Sequence, residues 1–263
     1  RFRIVPLNFG EYDGQKIMDY EEAGVENKDL SFEDYLYIRV LALLVESLYN
    51  GKPFYEFFKF SKEIGVQPAS LLSNLYENIS NSPESIRKLI NEFVNETKNE
   101  LWDSEENLVD HYKKDKNYLK LKNGEVGGNL IYKYKAKSLV ESGLVWIDYI
   151  EKQILKLVVD KQTNINSTKI IRSELSEIAS FCRLKINALL NADIETKPVE
   201  DIFSYDILKW LDDEKANKRL SDYKFSSDSE KLIFAFTKDQ ITIRKDVFNR
   251  YGTSINAISK IVT

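Results

Sequence analysis

The chain has 263 residues, 43% of them apolar and 30% charged, with a net charge of −4 at pH 7. That is enough chain for one large domain or two small ones, and both charge signs interspersed along it argue against a dedicated nucleic-acid surface while leaving room for local patches. A single cysteine (Cys182) and a single histidine (His111) exclude an internal disulfide, an all-cysteine zinc or iron–sulfur site and a multi-histidine metal site within the chain.

Residues 1–26 read as a β-hairpin. FRIVPLNFGEY and QKIMDYEEAGV flank Asp13-Gly14, a strong two-residue turn signal. Pro6 and Gly10 interrupt the first arm, which predicts an edge or bulged strand. A lone hairpin is marginal in water. It must dock on helices of this chain or complete a sheet lying upstream, and the second is the expectation. Glu11, Asp13, Glu21 and Glu22 make the region acidic, a solvated face.

LSFEDYLYIRVLALLVESLYNG, residues 30–51, is the clearest helix. Ser31 is an N-cap answered by Asp34, and Asn50-Gly51 with Pro53 ends the run. Leu36, Val40, Leu43, Leu44 and Leu48 form its apolar stripe. Leu41, Ala42 and Val45 widen the stripe until the helix must be surrounded by others. Arg39 and Glu46 interrupt it, reaching solvent at a seam or facing a pocket. FYEFFKFSKEI (54–64), residues 69–79 after Pro68, and the segment opened by Ser82-Pro83-Glu84 are further helices.

Asp103 to Glu106 opens another helix, on which Glu106 and Asp110 share a face with His111 adjacent. Carboxylates and an imidazole at that spacing suit a metal ion, although an amphipathic helix produces the same spacing by chance. GEVGGN lacks both the Walker and the Rossmann pattern and reads as a connector. NLIYKYKAKSLV interleaves Tyr132, Lys133, Tyr134, Lys135 and Lys137, the most basic short stretch and the best candidate for a polar, anion-facing surface. The bland alternative is a helix with solvated lysines and packed tyrosines.

Residues 144–159 form a second strongly apolar helix, 161–167 a polar linker, and 168–191 a long helix containing Cys182. A short helix at 205–211 follows. YKFSS and KLIFAFT then pair as a small hairpin near 223–237, and helices follow from Thr237 and Ser254. The predicted class is mainly α: a multi-helix, bundle-like domain with an N-terminal hairpin of edge strands. Residues 1–26 form one segment and 27–263 an all-helical domain, with subdivision compatible near 161–167 or 192–200. No run approaches the roughly 18 uncharged apolar residues of a membrane span, and no secretory signal is visible. The cytoplasm is the expected compartment. Arg1 lies already in strand-like sequence and Thr263 directly follows the periodic ISKIV, so a fragment of a larger polypeptide is expected.

FGEYDG, DYEE, LSFEDYLYIR and ESLYNG together resemble the region after the catalytic barrel in cobalamin-binding-domain radical S-adenosylmethionine proteins. The specific stretch covers about residues 2–60. NELWDSEE, GEVGGNLIYKYKAKSLV and FNRYGTSINAISKIVT are similar to parts of the helical C-terminal extension of such proteins. The resemblance implies that 1–26 complete the barrel and that the remainder is an accessory, substrate-capping or structural domain. The upstream barrel would then be its partner in cis. An iron–sulfur cluster, S-adenosylmethionine and cobalamin are implied for the parent protein only. The three-cysteine signature is missing here, so no catalytic, cofactor or metal residue carries over. The competing readings are an independent helical interaction module, which exposed phenylalanines at FYEFF would support, and a metal-dependent enzyme built on Glu106, Asp110 and His111. Neither a nucleic-acid partner nor a membrane span is expected.

Overall fold

The computed structural model describes residues 1–50, 52–161, 165–190, 199–213, 218–235, 238 and 241–242. It is mainly α-helical with two small antiparallel sheets. The chain divides into two compact units, residues 1–43 with 88–134 and residues 44–87 with 135–263.

The first unit begins with β1 (Phe2–Tyr12) and β2 (Gln15–Glu22), paired antiparallel from Phe2↔Glu22 to Tyr12↔Gln15. Asp13 (φ 49°) and Gly14 (φ 75°) both take positive φ, the geometry that matches a tight turn to strand twist. The register shifts between Ile4 and Phe9, where Pro6 has no N–H to give the ladder. The hairpin rests on α5 (Glu105–Lys113) and α6 (Asp115–Lys122). Ile4, Met18, Leu108, Tyr118 and Leu121 form the buried cluster, with Phe2, Phe9 and Trp102 against it. Those helices supply the apolar surface a two-stranded ribbon needs. Gly127 (φ 75°) closes over the cluster, since a Cβ there would lie 2.5 Å from Leu121 Cδ2.

Helix α1 (Phe32–Leu44) opens with the predicted reciprocal cap. Ser31 Oγ accepts from Asp34 N at 3.1 Å, and Asp34 Oδ2 accepts from Ser31 N at 3.1 Å. From Val45 to Asn50 the α pattern widens into a π-helix, which the sequence reading took as plain α. Arg39 does not reach solvent freely: its side chain is 17% exposed, 3.6 Å from Glu100 and over the Phe93 ring.

The second unit holds α2 (Tyr55–Glu63), α3 (Pro68–Glu77), most of α7 (Leu130–Lys161) and α8 (Ile165–Leu190). Helix α4 (Glu84–Asn99) contributes its residues from Lys88 onward to the first unit and its first turn to the second. The Ser82 hydroxyl, just before α4, donates back to Ile79 O at 2.6 Å. The basic-aromatic stretch and the second apolar run are one helix, α7, continuous through Gly143. A Cβ at Gly143 would lie 3.2 Å from Ile186 Cγ2, so glycine lets α7 and α8 approach closely. Trp146, Ile150, Ile154, Leu175, Ile178 and Phe181 are buried. Of the expected linker, 165–167 are helical and 162–164 lie outside the described residues.

Strand β3 (Val199–Phe203) pairs antiparallel with β4 (Glu230–Phe234). This corrects the hairpin expected near 223–237. Its later strand exists, but its partner is β3, and residues 220–223 form a 3-10 turn. The ribbon packs Phe203 edge-on against Phe181 of α8, and Glu177 accepts from both Ser204 N and Ser204 Oγ at 2.9 Å. Short α9 (Ile207–Asp212) lies between β3 and that turn. Of the helices expected from Thr237 onward, only 238 and 241–242 are described, as helix; the rest lie outside the described residues.

Candidate functional site

The residues singled out in the sequence do not converge. Glu106 and Asp110 are exposed on α5, while the half-buried His111 ring is set against Trp102 (centroids 4.8 Å) and Tyr112 (4.9 Å). Burial, with Lys114 and Lys120 nearby, holds the imidazole below its ordinary pKa. That places His111 with packed aromatics. Among the described residues no group of three or more His, Cys, Asp and Glu is arranged to hold a metal.

On α7 the lysines have found carboxylates. Lys133 Nζ lies 2.6 Å from Glu96, Lys135 Nζ 2.7 Å from Glu46, and Lys137 Nζ 3.9 Å from Glu141 one helical turn on. Only Tyr132 is exposed. The expected polar surface is corrected at Tyr134 and Lys135, which are interior. Lys135 is 2% exposed, and the Tyr134 hydroxyl donates to Glu96 at 2.8 Å while its ring meets Phe93 edge-on. A lysine this buried persists because an ionised partner faces it. Burial opposes the Glu46 charge, but hydrogen bonds from Lys135 and Asn50 outweigh that and hold its carboxyl below the ordinary value.

A different set of residues forms a cleft of about 670 Å³ in the second unit. One wall is α2. Phe54, Phe57, Phe58 and Phe60 bury its apolar face, which leaves Tyr55, Lys59, Lys62 and Glu63 toward the cleft. Tyr49 completes the aromatic side, its ring edge-on to Phe58 at 5.2 Å. The opposite wall is formed by Asp213, next to α9, and by Lys218 and Arg219, just before the 3-10 turn.

Two side chains one turn apart on α2 clamp α9 and the 3-10 turn. Lys59 Nζ donates to the carbonyls of Trp210 and Leu211 and lies 4.8 Å over the Trp210 ring. Glu63 accepts from Trp210 Nε1 at 2.5 Å with one oxygen and from Leu220 N at 3.0 Å with the other. Burial pushes the Glu63 carboxyl above its ordinary pKa, against the pull of those donors and of Lys59 and Arg219. Asp213 accepts from the Tyr223 hydroxyl at 2.8 Å, and burial together with that carboxylate pushes Tyr223 up to about 12.

In α8, Glu174 is 1% exposed, its Oε2 has no hydrogen-bond partner among the described residues, and burial raises its pKa. Glu63 raises that pKa further and Arg219 opposes the rise.

The cleft therefore joins aromatic surface to exposed cationic side chains, and its carboxylates already accept hydrogen bonds. That suits holding an anion. Sequence reasoning missed it because Lys59 and Trp210 are 151 positions apart. One signal was present: Lys59, Lys62 and Glu63 recur at helical spacing opposite the phenylalanines.

Cys182 is fully buried, donates to Glu56 Oε2 at 3.5 Å and is pushed well up by burial. The same Glu56 accepts from Lys185 Nζ at 2.5 and 2.6 Å. This thiol is a packed side chain, and the chain's residues do not fit the cluster that the sequence resemblance implies for a parent protein. No helix among the described residues is long and apolar enough to cross a membrane. No protein-family model, curated protein or solved structure matches the chain.

Proposed function

We propose that this chain is a helical accessory domain that caps or holds a ligand for a larger enzyme, the cytoplasmic cobalamin-dependent radical S-adenosylmethionine protein that residues 2–60 resemble. In this reading an upstream barrel supplies the cluster, S-adenosylmethionine and cobalamin, and no step of the chemistry passes through side chains of this chain. The observation that carries the reading is the cleft of about 670 Å³, whose size falls in the range of small-molecule sites. Its clamp by Lys59 and Glu63 supports a site that is formed before the ligand arrives. Water exclusion over a reactive intermediate is what such a capping element contributes.

The alternative of an independent interaction module has lost the ground on which it stood, since Phe54, Phe57, Phe58 and Phe60 are all buried. The test is the intact mass of the natural gene product. A mass well above 30.6 kDa, with a three-cysteine motif upstream, is expected. A product matching these residues alone would sink the accessory reading.

A further inference from the structure

We infer that the cleft between α2 and the 218–219 segment binds a phosphorylated small molecule that carries a planar ring. This rests on the ligand-holding role proposed above and names the class of ligand. The first observation is charge. Lys62, Lys218 and Arg219 line the cleft, are exposed, and have no carboxylate within ion-pair distance among the described residues. Elsewhere in the chain Lys133, Lys135, Arg183 and Lys185 each lie within 4 Å of one.

The cleft's own carboxylates do not fill that role. Both Glu63 oxygens accept N–H donors, and Asp213 accepts the Tyr223 hydroxyl. Cations gathered at one rim, without an ion-paired carboxylate among the described residues, select an anion of more than one charge. The planar fork of Arg219 suits the tetrahedral oxygens of a phosphate. Lys59 is a wall component, since its ammonium is already committed to the carbonyls of Trp210 and Leu211.

The second observation is the opposite lining. Tyr49 is 38% exposed while its neighbour Phe58 is buried beneath it. Tyr55 is half-buried beside them, with the Lys52 ammonium 4.9 Å from its ring. A planar ligand group stacking on Tyr49 would cover aromatic surface that is exposed in the folded chain. The volume accommodates a ring and two phosphates, so a nucleoside diphosphate has the right size and chemistry.

Calorimetric titration of the full chain with adenosine diphosphate, inorganic pyrophosphate and adenosine tests this. Adenosine diphosphate should bind at least about tenfold tighter than either fragment, because both contact types are needed. Binding should weaken as salt is raised. The triple variant K62A/K218A/R219A should lose at least about tenfold in affinity while its circular dichroism spectrum stays that of the parent, since these side chains are exposed.

No binding of adenosine diphosphate or pyrophosphate at millimolar concentration would overturn the inference. So would unchanged affinity in the triple variant, or adenosine binding as tightly as its diphosphate. Pyrophosphate equal to adenosine diphosphate would overturn the ring. Tighter binding of a single-stranded oligonucleotide would overturn the small-molecule class in favour of nucleic acid. Each of these results leaves the accessory reading to be decided by the mass of the gene product.

Discussion

At the scale of single residues, the carboxylates raised by burial contribute one part of how stability responds to pH. Glu63, Glu100, Glu151 and Glu174 all lie above their ordinary value of 4.5, in each case chiefly because burial disfavours the charge. The folded chain therefore holds protons that the unfolded chain releases. Their contribution is fully present below 4.5 and is lost as pH rises through the folded values. Glu174 is the sharpest case, 1% exposed with Oε2 unpartnered. An ionised carboxylate there is desolvated, and a proton held there is taken up at a cost at neutral pH. Glu174→Gln keeps the shape and removes both. It should stabilise the chain by about 1 kcal/mol at pH 7, about 2–4 °C in thermal midpoint, with the gain vanishing in scans below pH 4.5. A variant less stable than the parent at pH 7 would show that the Glu174 charge is stabilised by its surroundings.

Between elements, the most buried lysine is held by an ion pair. Lys135 of α7 meets Glu46 in the π-helical turn that continues α1, at 2.7 Å. A π turn widens the backbone spiral and shifts the direction in which side chains leave it. Removing one partner leaves the other desolvated and alone. Glu46→Leu should cost about 3 kcal/mol in urea denaturation, whereas adding Lys135→Met should restore the chain to within about 1 kcal/mol of the parent. Additive losses would mean that the two side chains contribute independently. The N-terminal hairpin follows a related rule. Two strands cannot bury enough alone, and Ile4 and Met18 become core only because Leu108, Tyr118 and Leu121 are brought under them.

On the scale of the molecule, the cleft depends on a clamp between segments distant in sequence. Glu63 occupies both its oxygens with donors from the far wall, Trp210 Nε1 and Leu220 N. Glu63→Gln puts an amide NH₂ where one of those donors points, so at least one hydrogen bond is lost. Hydrogen exchange of the Leu220 amide or the Trp210 indole should accelerate by about tenfold or more, the equivalent of one lost hydrogen bond. Amides of α8 should keep their protection. Equal acceleration across α8 would indicate global destabilisation instead of release of the clamped segment.

Much of the local architecture was legible in the amino-acid order. The Asp13-Gly14 turn, the Ser31–Asp34 cap, the mainly α class and the buried stripes of α1, α7 and α8 depend on periods of two and 3.6 and on near neighbours. Those are properties a linear pattern carries. Tertiary structure alone decided three other matters. It gave β4 the partner β3 in place of the nearer 223–227, because strand pairing is settled by which edge the α8 surface brings alongside. It took Tyr134 and Lys135 out of solvent, because a lysine reads as surface until the carboxylate that neutralises it, here Glu46 at 89 positions' distance, is known. It also assembled the cleft, whose cations come from residues 59–62 and 218–219. The strength of an electrostatic site depends on spatial distance and burial, and neither is a function of separation along the chain.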